Sequence, residues 1–128
     1  MNNLEKIINE AWDKKDQINQ DSDKSIIDAI NEIIEKLDNG TVRVAEKINE
    51  QWITHQYIKK AIMLSFRIYG METLEGPYSS WRDKAHLLKG KTAGWTNKDF
   101  EKAGFRMVPN SPVRKGSFVG KNAVLMPC

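Results

Sequence analysis

The sequence predicts an α+β protein, with a small and mostly helical amino-terminal domain that also holds short strands, followed by the first, incomplete coil of a parallel β-helix. Two observations carry this prediction. Apolar residues recur at helical spacing through most of the first seventy residues, and aliphatic residues recur every six residues near the end of the chain. We therefore place the amino-terminal domain at residues 1–110 and the start of the repeat domain at residues 111–128.

Two amphipathic helices are predicted at the start of the chain, because their apolar residues fall on one face at a period of 3.6. The polar stretch between them offers Asp21, Ser22 and Asp23 as N-caps, and Gly40 stands where a C-terminal glycine cap belongs. The first apolar face consists of Leu4, Ile7, Ile8, Ala11 and Trp12. The second consists of Ile26, Ile27, Ile30, Ile33, Ile34 and Leu37. We expect the two faces to pack together.

A small hairpin and a third helix follow. Residues 41–47 and 49–54 have the pattern of short strands, with Val42 and Val44 on one face and Asn49 at the turn. Thr54 is the predicted cap of a helix that ends by Gly70. This helix is expected to be buried on more than one side, since apolar residues occur on several of its faces.

Residues 70–95 have no clean period, and we interpret them as an irregular connection with room for one strand or one turn of helix. Thr96 and Asp99 then have the spacing of a capping box, which predicts a short helix through Ala103 that ends at Gly104. The next residues, 105–109, have the composition of a strand.

The last sixteen residues follow a six-residue pattern. Val113, Val119 and Leu125 are the aliphatic positions, and the small residues Ser117 and Ala123 follow the first two by four places. In a triangular β-helix the aliphatic residue fills the interior and the small residue fits near a corner. An ordinary pair of strands is the alternative. Because one coil takes three hexads, we expect the coil to be incomplete and the chain to be a fragment.

Composition excludes several classes of protein. The 128 residues are 40% apolar and 29% charged, which is ordinary for a folded domain. No apolar run is long enough for a membrane span, and we expect no membrane partner. The lone cysteine, Cys128, excludes a disulfide framework and a multi-cysteine zinc site, which favours a reducing, cytoplasmic location.

The charge is unevenly distributed. Residues 1–40 hold 5 Lys/Arg and 10 Asp/Glu, whereas residues 82–128 hold 10 Lys/Arg and 3 Asp/Glu. Basic ends attract anions.

Aromatic residues alternate with basic ones near the end of the chain, as in proteins that bind single-stranded nucleic acid, but the basic residues are scattered. We therefore prefer a solvated basic face around buried aromatics, and expect no nucleic-acid partner. The residues concerned are Trp95, Phe100, Phe105, Phe118, Arg106, Arg114, Lys115 and Lys121.

No catalytic, cofactor-binding or metal-binding constellation is visible. Neither His55 nor His86 has a carboxylate or cysteine at ligand spacing. The sequence Gly-Lys-Thr at 90–92 lacks the upstream glycine of a phosphate loop, and we reject it as one.

Arg106 is the one candidate binding residue. It lies in the apolar stretch 103–109, where an unpaired guanidinium is costly. Its planar fork can hold a carboxylate with two hydrogen bonds. The sequence therefore predicts either an internal Asp/Glu partner or an anionic ligand for Arg106, with no preference between the two.

Four phrases of the sequence resemble one family. The phrases RVAEK at 43–47, QWITHQYIKKAIMLSFRI at 51–68, EKAGFRMVP at 101–109 and VRKGSFVGKNAVLMP at 113–127 are similar to the amino-terminal part of tetrahydrodipicolinate N-succinyltransferases. The resemblance covers most of the chain and is weakest at residues 70–95. It implies a left-handed parallel β-helix after the helical domain, and it implies that Arg106 binds the dicarboxylate substrate.

The resemblance also implies an activity. Members of the family transfer succinyl from succinyl-CoA, their co-substrate, to the amino group of ring-opened tetrahydrodipicolinate, a step towards diaminopimelate and lysine. They are cytoplasmic homotrimers and hold no bound cofactor. Their catalytic carboxylates and CoA contacts lie beyond the region matched here, so we expect this chain alone to be inactive. The alternative is a non-catalytic oligomerisation or interaction module left from a truncated gene.

Overall fold

Three helices form the core of the protein in the computed structural model, which describes residues 2–84 and 90–127. They are α1 (Asn3–Asp13), α2 (Lys24–Asp38) and α3 (Gln56–Ile68), and each packs against the other two. All three predicted helices are confirmed. A 3₁₀ turn at Lys15–Gln17 was not predicted, because three residues are too few to show a period. The core is built from the predicted apolar faces and includes Ile8, Ala11, Ile30, Ile33, Ile58, Ala61 and Leu64.

The helix ends agree with the sequence in part. Asp23, one of the three N-cap candidates, is the N-cap residue of α2, although its side chain makes no capping hydrogen bond. Gly40 has φ +79° just beyond the end of that helix, as predicted. The N-cap of α3 is His55 and not Thr54, so that prediction is wrong. Thr54 is instead the last residue of a strand, where its backbone is extended and pairs with Ala45.

The predicted hairpin is confirmed, with shorter strands. The antiparallel pair is β1 (Ala45–Ile48) and β2 (Gln51–Thr54), joined at Asn49 and Glu50. Both turn residues have positive φ, the geometry that matches the twist of a tight hairpin. Val42 and Val44 precede β1 and pack against the helical core instead.

A second hairpin occupies the stretch interpreted as irregular, and this corrects the sequence prediction. The antiparallel strands are β3 (Met71–Glu75) and β4 (Ser80–Lys84). All of β3 and most of β4 are exposed, so neither strand has an apolar face whose alternation would reveal it. His86 lies outside the described residues.

The capping box is confirmed. Helix α4 (Asn97–Ala103) begins with reciprocal contacts between Thr96 and Asp99, and it ends at Gly104, which has φ 76°. The backbone hydrogen bond from Thr96 is the main cause that lowers the pKa of the Asp99 carboxyl below its ordinary value of 3.8.

The predicted strand at 105–109 is confirmed in its central residues. It forms β5 (Arg106–Met107), which pairs in parallel with β6 (Val124–Leu125). Arg106 is opposite Val124, eighteen residues further on. The end of the chain therefore pairs with a strand that comes eighteen residues earlier. The predicted repeat began at Val113 and did not include that earlier strand.

Burial in this segment follows a period of six. Residues at this spacing are half-buried, while most of their neighbours are exposed. Ser111 is buried, and its hydroxyl donates a hydrogen bond to the carbonyl oxygen of Leu125 at 3.1 Å. The half-buried positions are Met107, Val113, Val119 and Leu125. The architecture is thus α+β, with a helical bundle joined to a short parallel turn of chain.

Candidate functional site around Arg106

Arg106 is held on a rigid backbone. Its amide N–H donates to the carbonyl oxygen of Ala123 at 2.9 Å, and the N–H of Val108 donates to Leu125 at 3.0 Å. Gly104 begins this segment in a left-handed conformation, which a residue with a Cβ rarely adopts. The amide of Asn122 donates to the Gly104 carbonyl at 2.7 Å. The backbone at Arg106 is therefore bonded to the neighbouring segment on both sides.

The residue before Arg106 anchors the strand. Phe105 is buried, and its ring centroid lies 5.7 Å from that of Trp95 and 5.9 Å from that of Phe100. Trp95 and Phe100 are themselves in edge-to-face contact at 5.1 Å. Such aromatic contacts add about 0.5–1.5 kcal/mol each beyond burial. Three of the four aromatics singled out in the sequence therefore pack together and are not free stacking surfaces.

The side chain of Arg106 is exposed, which corrects the expectation of a costly buried guanidinium. Successive residues of a strand point to opposite faces, so buried Phe105 and half-buried Met107 leave Arg106 pointing outward. Within residues 2–84 and 90–127 no carboxylate contacts this guanidinium. The internal ion pair is therefore not found there, and Arg106 is available to an external anion.

Arg114 and Lys115 differ from Arg106 because each has a carboxylate partner. Arg114 Nη2 lies 2.8 Å from Asp83 Oδ2, and the ammonium of Lys115 contacts the Glu35 carboxylate. These pairs tie the segment around Val113 to β4 and α2. They have a structural use, whereas the guanidinium of Arg106 has none in the described part of the chain.

An unpredicted buried pair joins this segment to the helical bundle. The side chain of Lys91 is 6% exposed, and its Nζ lies 3.2 Å from Oδ1 of Asp38 and 2.5 Å from the carbonyl oxygen of that residue. The same Oδ1 accepts the amide N–H of Gly116 at 2.8 Å. Lys91 is the lysine of the Gly-Lys-Thr sequence that was rejected as a phosphate loop. Its contact with Asp38 gives it a structural role instead. No local signal identifies the pair, because its members are 53 positions apart.

Phe118 forms a second contact between this segment and the residues after α2. The guanidinium carbon of Arg43 is 3.5 Å from the centroid of the Phe118 ring, which is a cation–π geometry. The same ring covers Gly40 so closely that a Cβ there would lie 2.5 Å from a ring carbon. The Phe118 ring therefore packs against the segment that follows α2.

A cavity beside the second hairpin is separate from Arg106. It measures about 770 Å³ and lies between the second hairpin and the segment from Met107 to Arg114. Its wall includes Trp81, Arg82 and Ser111, but not Arg106. The sequence did not predict this cavity, because the hairpin that forms one side of it has no pattern.

The remaining candidates have ordinary surroundings. His55 Nε2 lies 3.1 Å from Glu46 Oε1, a contact between the start of α3 and β1. In the described portion of the chain no group of three or more His, Cys, Asp or Glu side chains is arranged to hold a metal. The same portion contains no helix that is long and apolar enough to cross a membrane.

The fold and the site together define an α+β domain whose parallel ladder presents Arg106, an arginine without a carboxylate partner among the described residues. Comparison with known proteins identifies the family. The model of the tetrahydrodipicolinate N-succinyltransferase N-terminal family matches residues 3–68, which is more than half of the chain. The chain belongs to this family, and the resemblance read from its four phrases is confirmed.

Curated relatives extend the match over the whole chain. A 2,3,4,5-tetrahydropyridine-2,6-dicarboxylate N-succinyltransferase of Pelagibacter ubique (strain HTCC1062) is 68% identical over 128 residues, which is 100% of this chain and 46% of the relative. Proteins with the same description from Proteus mirabilis (strain HI4320) and Dechloromonas aromatica (strain RCB) are 44% and 46% identical. These alignments cover 99% and 97% of this chain, and 46% and 44% of the relatives. The chain spans less than half the length of these relatives, which are transferases by description.

Proposed function

We propose that this chain is the amino-terminal part of an N-succinyltransferase that moves succinyl from succinyl-CoA to tetrahydrodipicolinate, in the route to diaminopimelate and lysine. In this reaction the substrate amine forms an amide bond with the succinyl carbonyl carbon, the thioester C–S bond breaks, and the amine proton balances the released thiol. The unpaired guanidinium of Arg106 on a fixed backbone is the observation that carries the proposal. Relatives of the same description support it over the whole chain.

Arg106 binds one substrate carboxylate in this proposal. Its guanidinium offers two parallel N–H donors to the two oxygens, which gives both charge and orientation. The ladder bonds to Ala123 and Leu125 fix its backbone, so little backbone conformational entropy is lost on binding. The base that takes the amine proton, and the groups that hold CoA, belong to the part of the relatives that this chain does not match.

The parallel turn of chain is the first coil of a left-handed β-helix in this proposal. The eighteen-residue offset between Arg106 and Val124 equals three hexads, which is one triangular coil. Adding Met107 and Ser111 to the repeat gives one full coil, so the repeat domain begins before residue 111. A single coil needs stacked neighbours to bury its faces.

The assembly follows from the family. We place the protein in the cytoplasm as a homotrimer with no bound cofactor, and succinyl-CoA as a co-substrate. The isolated chain is inactive, because the residues that hold the thioester and take the proton are missing from it.

A chimera tests the function directly. Residues 1–128 of this chain replace the matched part of the Pelagibacter relative, with which they are 68% identical. We expect tetrahydrodipicolinate-dependent release of CoA thiol from succinyl-CoA. We also expect Arg106→Ala in the chimera to raise the KM for the dicarboxylate more than the KM for succinyl-CoA. A folded chimera that releases no thiol would overturn the proposal, and thiol release by the isolated chain would overturn its inactivity.

The alternative is a non-catalytic interaction module, and exposed aromatic residues favour it. Trp52 on β2 is 73% exposed, and Tyr78 at the tip of the second hairpin is 89% exposed. Exposed aromatics of this kind are enriched in protein interfaces. This alternative predicts association of the isolated chain that Trp52→Ser and Tyr78→Ser abolish, together with no response of Arg106 to dicarboxylates. Sedimentation velocity measures the first outcome, and NMR titration measures the second.

A further inference from the structure

The outward face of the parallel ladder carries an apolar side chain directly beside Arg106. Arg106 and Val124 are register partners, so their side chains stand on the same face, about 4.8 Å apart at the backbone. Val124 is 52% exposed. Met126, which lies two residues further along the same face, is 59% exposed. A cationic group and an apolar surface are therefore adjacent on one exposed face.

The β6 strand of this surface is unusual for an exposed sheet edge. Exposed edges commonly carry charged residues, which discourage pairing with other chains. Residues 122–127 contain no charged side chain at all. The ladder bond from Arg106 to Ala123 and the hydroxyl bond from Ser111 to Leu125 hold this edge in place. The apolar surface beside Arg106 is thus fixed in position.

A dicarboxylate with a hydrocarbon middle matches both parts of the surface. The relatives are described as acting on a tetrahydropyridine-2,6-dicarboxylate, in which unsubstituted ring carbons lie between two carboxyl-bearing positions. When the guanidinium holds one carboxylate, the carbons next to that carboxylate lie over the neighbouring side chain on the same face. An apolar neighbour favours those carbons by removing them from water.

We propose that Val124 is a specificity-determining residue, which forms the apolar wall against the hydrocarbon part of a dicarboxylate whose carboxylate is bound by Arg106. This inference rests on the proposed function and adds a second residue to its site. Val124 selects for the carbon skeleton, whereas Arg106 selects for the charge. The surface therefore discriminates between dicarboxylates of equal charge.

NMR titration of the isolated chain with two probes tests the inference. Pimelate and malonate are both dianions at neutral pH, but only pimelate has a long hydrocarbon middle. With pimelate, we expect the Arg106 Nε–H signal and the Val124 methyl signals to shift with a common Kd. With malonate, we expect only the Arg106 signal to shift.

Variants separate the two contributions. Val124→Thr keeps the branched shape but replaces a methyl by a hydroxyl. We expect it to raise the Kd for pimelate about fourfold, the equivalent of one buried methyl group, and to leave the Kd for malonate unchanged. Val124→Ile keeps the apolar surface and should preserve pimelate binding. Ile53→Thr is the matched control, since Ile53 is a β-branched residue that is 39% exposed on the distant strand β2.

Each failure has its own signature. If the Arg106 signal responds to pimelate while the Val124 methyl signals do not, the role of Val124 is overturned, but the binding of a carboxylate by Arg106 is retained. If Arg106 responds to neither probe, the binding part of the proposed function fails and the inference fails with it. If the Val124 signals follow protein concentration and not pimelate, the surface is a contact between copies, and the inference is overturned.

Discussion

The ammonium of Lys91 lies 3.2 Å from the carboxylate of Asp38 and is almost completely buried. Asp38 is the last residue of α2, and it also accepts the amide N–H of Gly116. One carboxylate thus joins the helical bundle both to the loop before α4 and to the turn after Arg114. Together with the Lys115–Glu35 pair and the contact of Phe118 with Gly40, this joint connects the segment that forms the ladder to the helical bundle.

We expect Asp38→Ala to lower the free energy of unfolding by about 3 kcal/mol, because it removes the carboxylate that neutralises a largely buried ammonium and leaves that ammonium only the backbone carbonyl oxygen of residue 38. Asp38→Asn should cost less, since its amide oxygen still accepts from Gly116. Urea denaturation measures both changes. The control is Asp28→Ala, which breaks an exposed pair with Lys24 and should cost at most about 0.5 kcal/mol. Equal losses for Asp38→Ala and Asp28→Ala would show that the joint does not stabilise the protein.

Arg106→Ala should leave stability within about 0.5 kcal/mol of the original, because the side chain is exposed and contacts no carboxylate in the described ranges. The same change should abolish the response to pimelate. Thermal unfolding and NMR titration measure the two effects on one sample. Arg114→Ala is the control. It removes the pair with Asp83, and this variant should retain pimelate binding. A large loss of stability on Arg106→Ala would instead indicate a structural role.

Gly40→Ala should destabilise the protein more than Gly94→Ala. Both glycines have positive φ, +79° and +76°, so both substitutions carry a left-handed penalty of about 1–2 kcal/mol. Only at Gly40 would the new Cβ meet the Phe118 ring, whereas nothing lies within 4 Å at Gly94. We expect an additional loss of about 1–2 kcal/mol at Gly40, from overpacking. Equal urea midpoints for Gly40→Ala and Gly94→Ala would show that the Phe118 ring moves away from residue 40 without a cost in stability.

The cap of α4 should weaken in acid. Because the pKa of Asp99 is lower in the folded state, its stabilising effect is complete above the ordinary value of 3.8 and is lost as pH falls below it. The amide signal of Thr96, which donates to Asp99, should therefore titrate with a midpoint below 3.8. Asp99→Asn should remove this transition. A midpoint at or above 3.8 in the original chain would contradict the assignment.

Local patterns were sufficient for the helices and for most of their ends, but not for the start of α3, where His55 and not Thr54 is the N-cap. The apolar faces of α1, α2 and α3, the glycine turn at Gly40 and the capping box of Thr96 all depend on residues within a few positions of one another. The same holds for the turn at Asn49. The four phrases quoted above were also sufficient to identify the family, since each of them is contiguous in the sequence.

Other features depend on residues that are distant in the chain. The second hairpin was missed because its strands are exposed, so burial imposes no alternation on them. The burial of Lys91 follows from a partner 53 positions away. The sequence determined that an arginine stands in the strand after α4, and only the tertiary structure decided that its side chain faces outward. The reason is physical: a strand's two faces become inside and outside only when other elements pack on one of them, as Trp95 and Phe100 pack on Phe105 here.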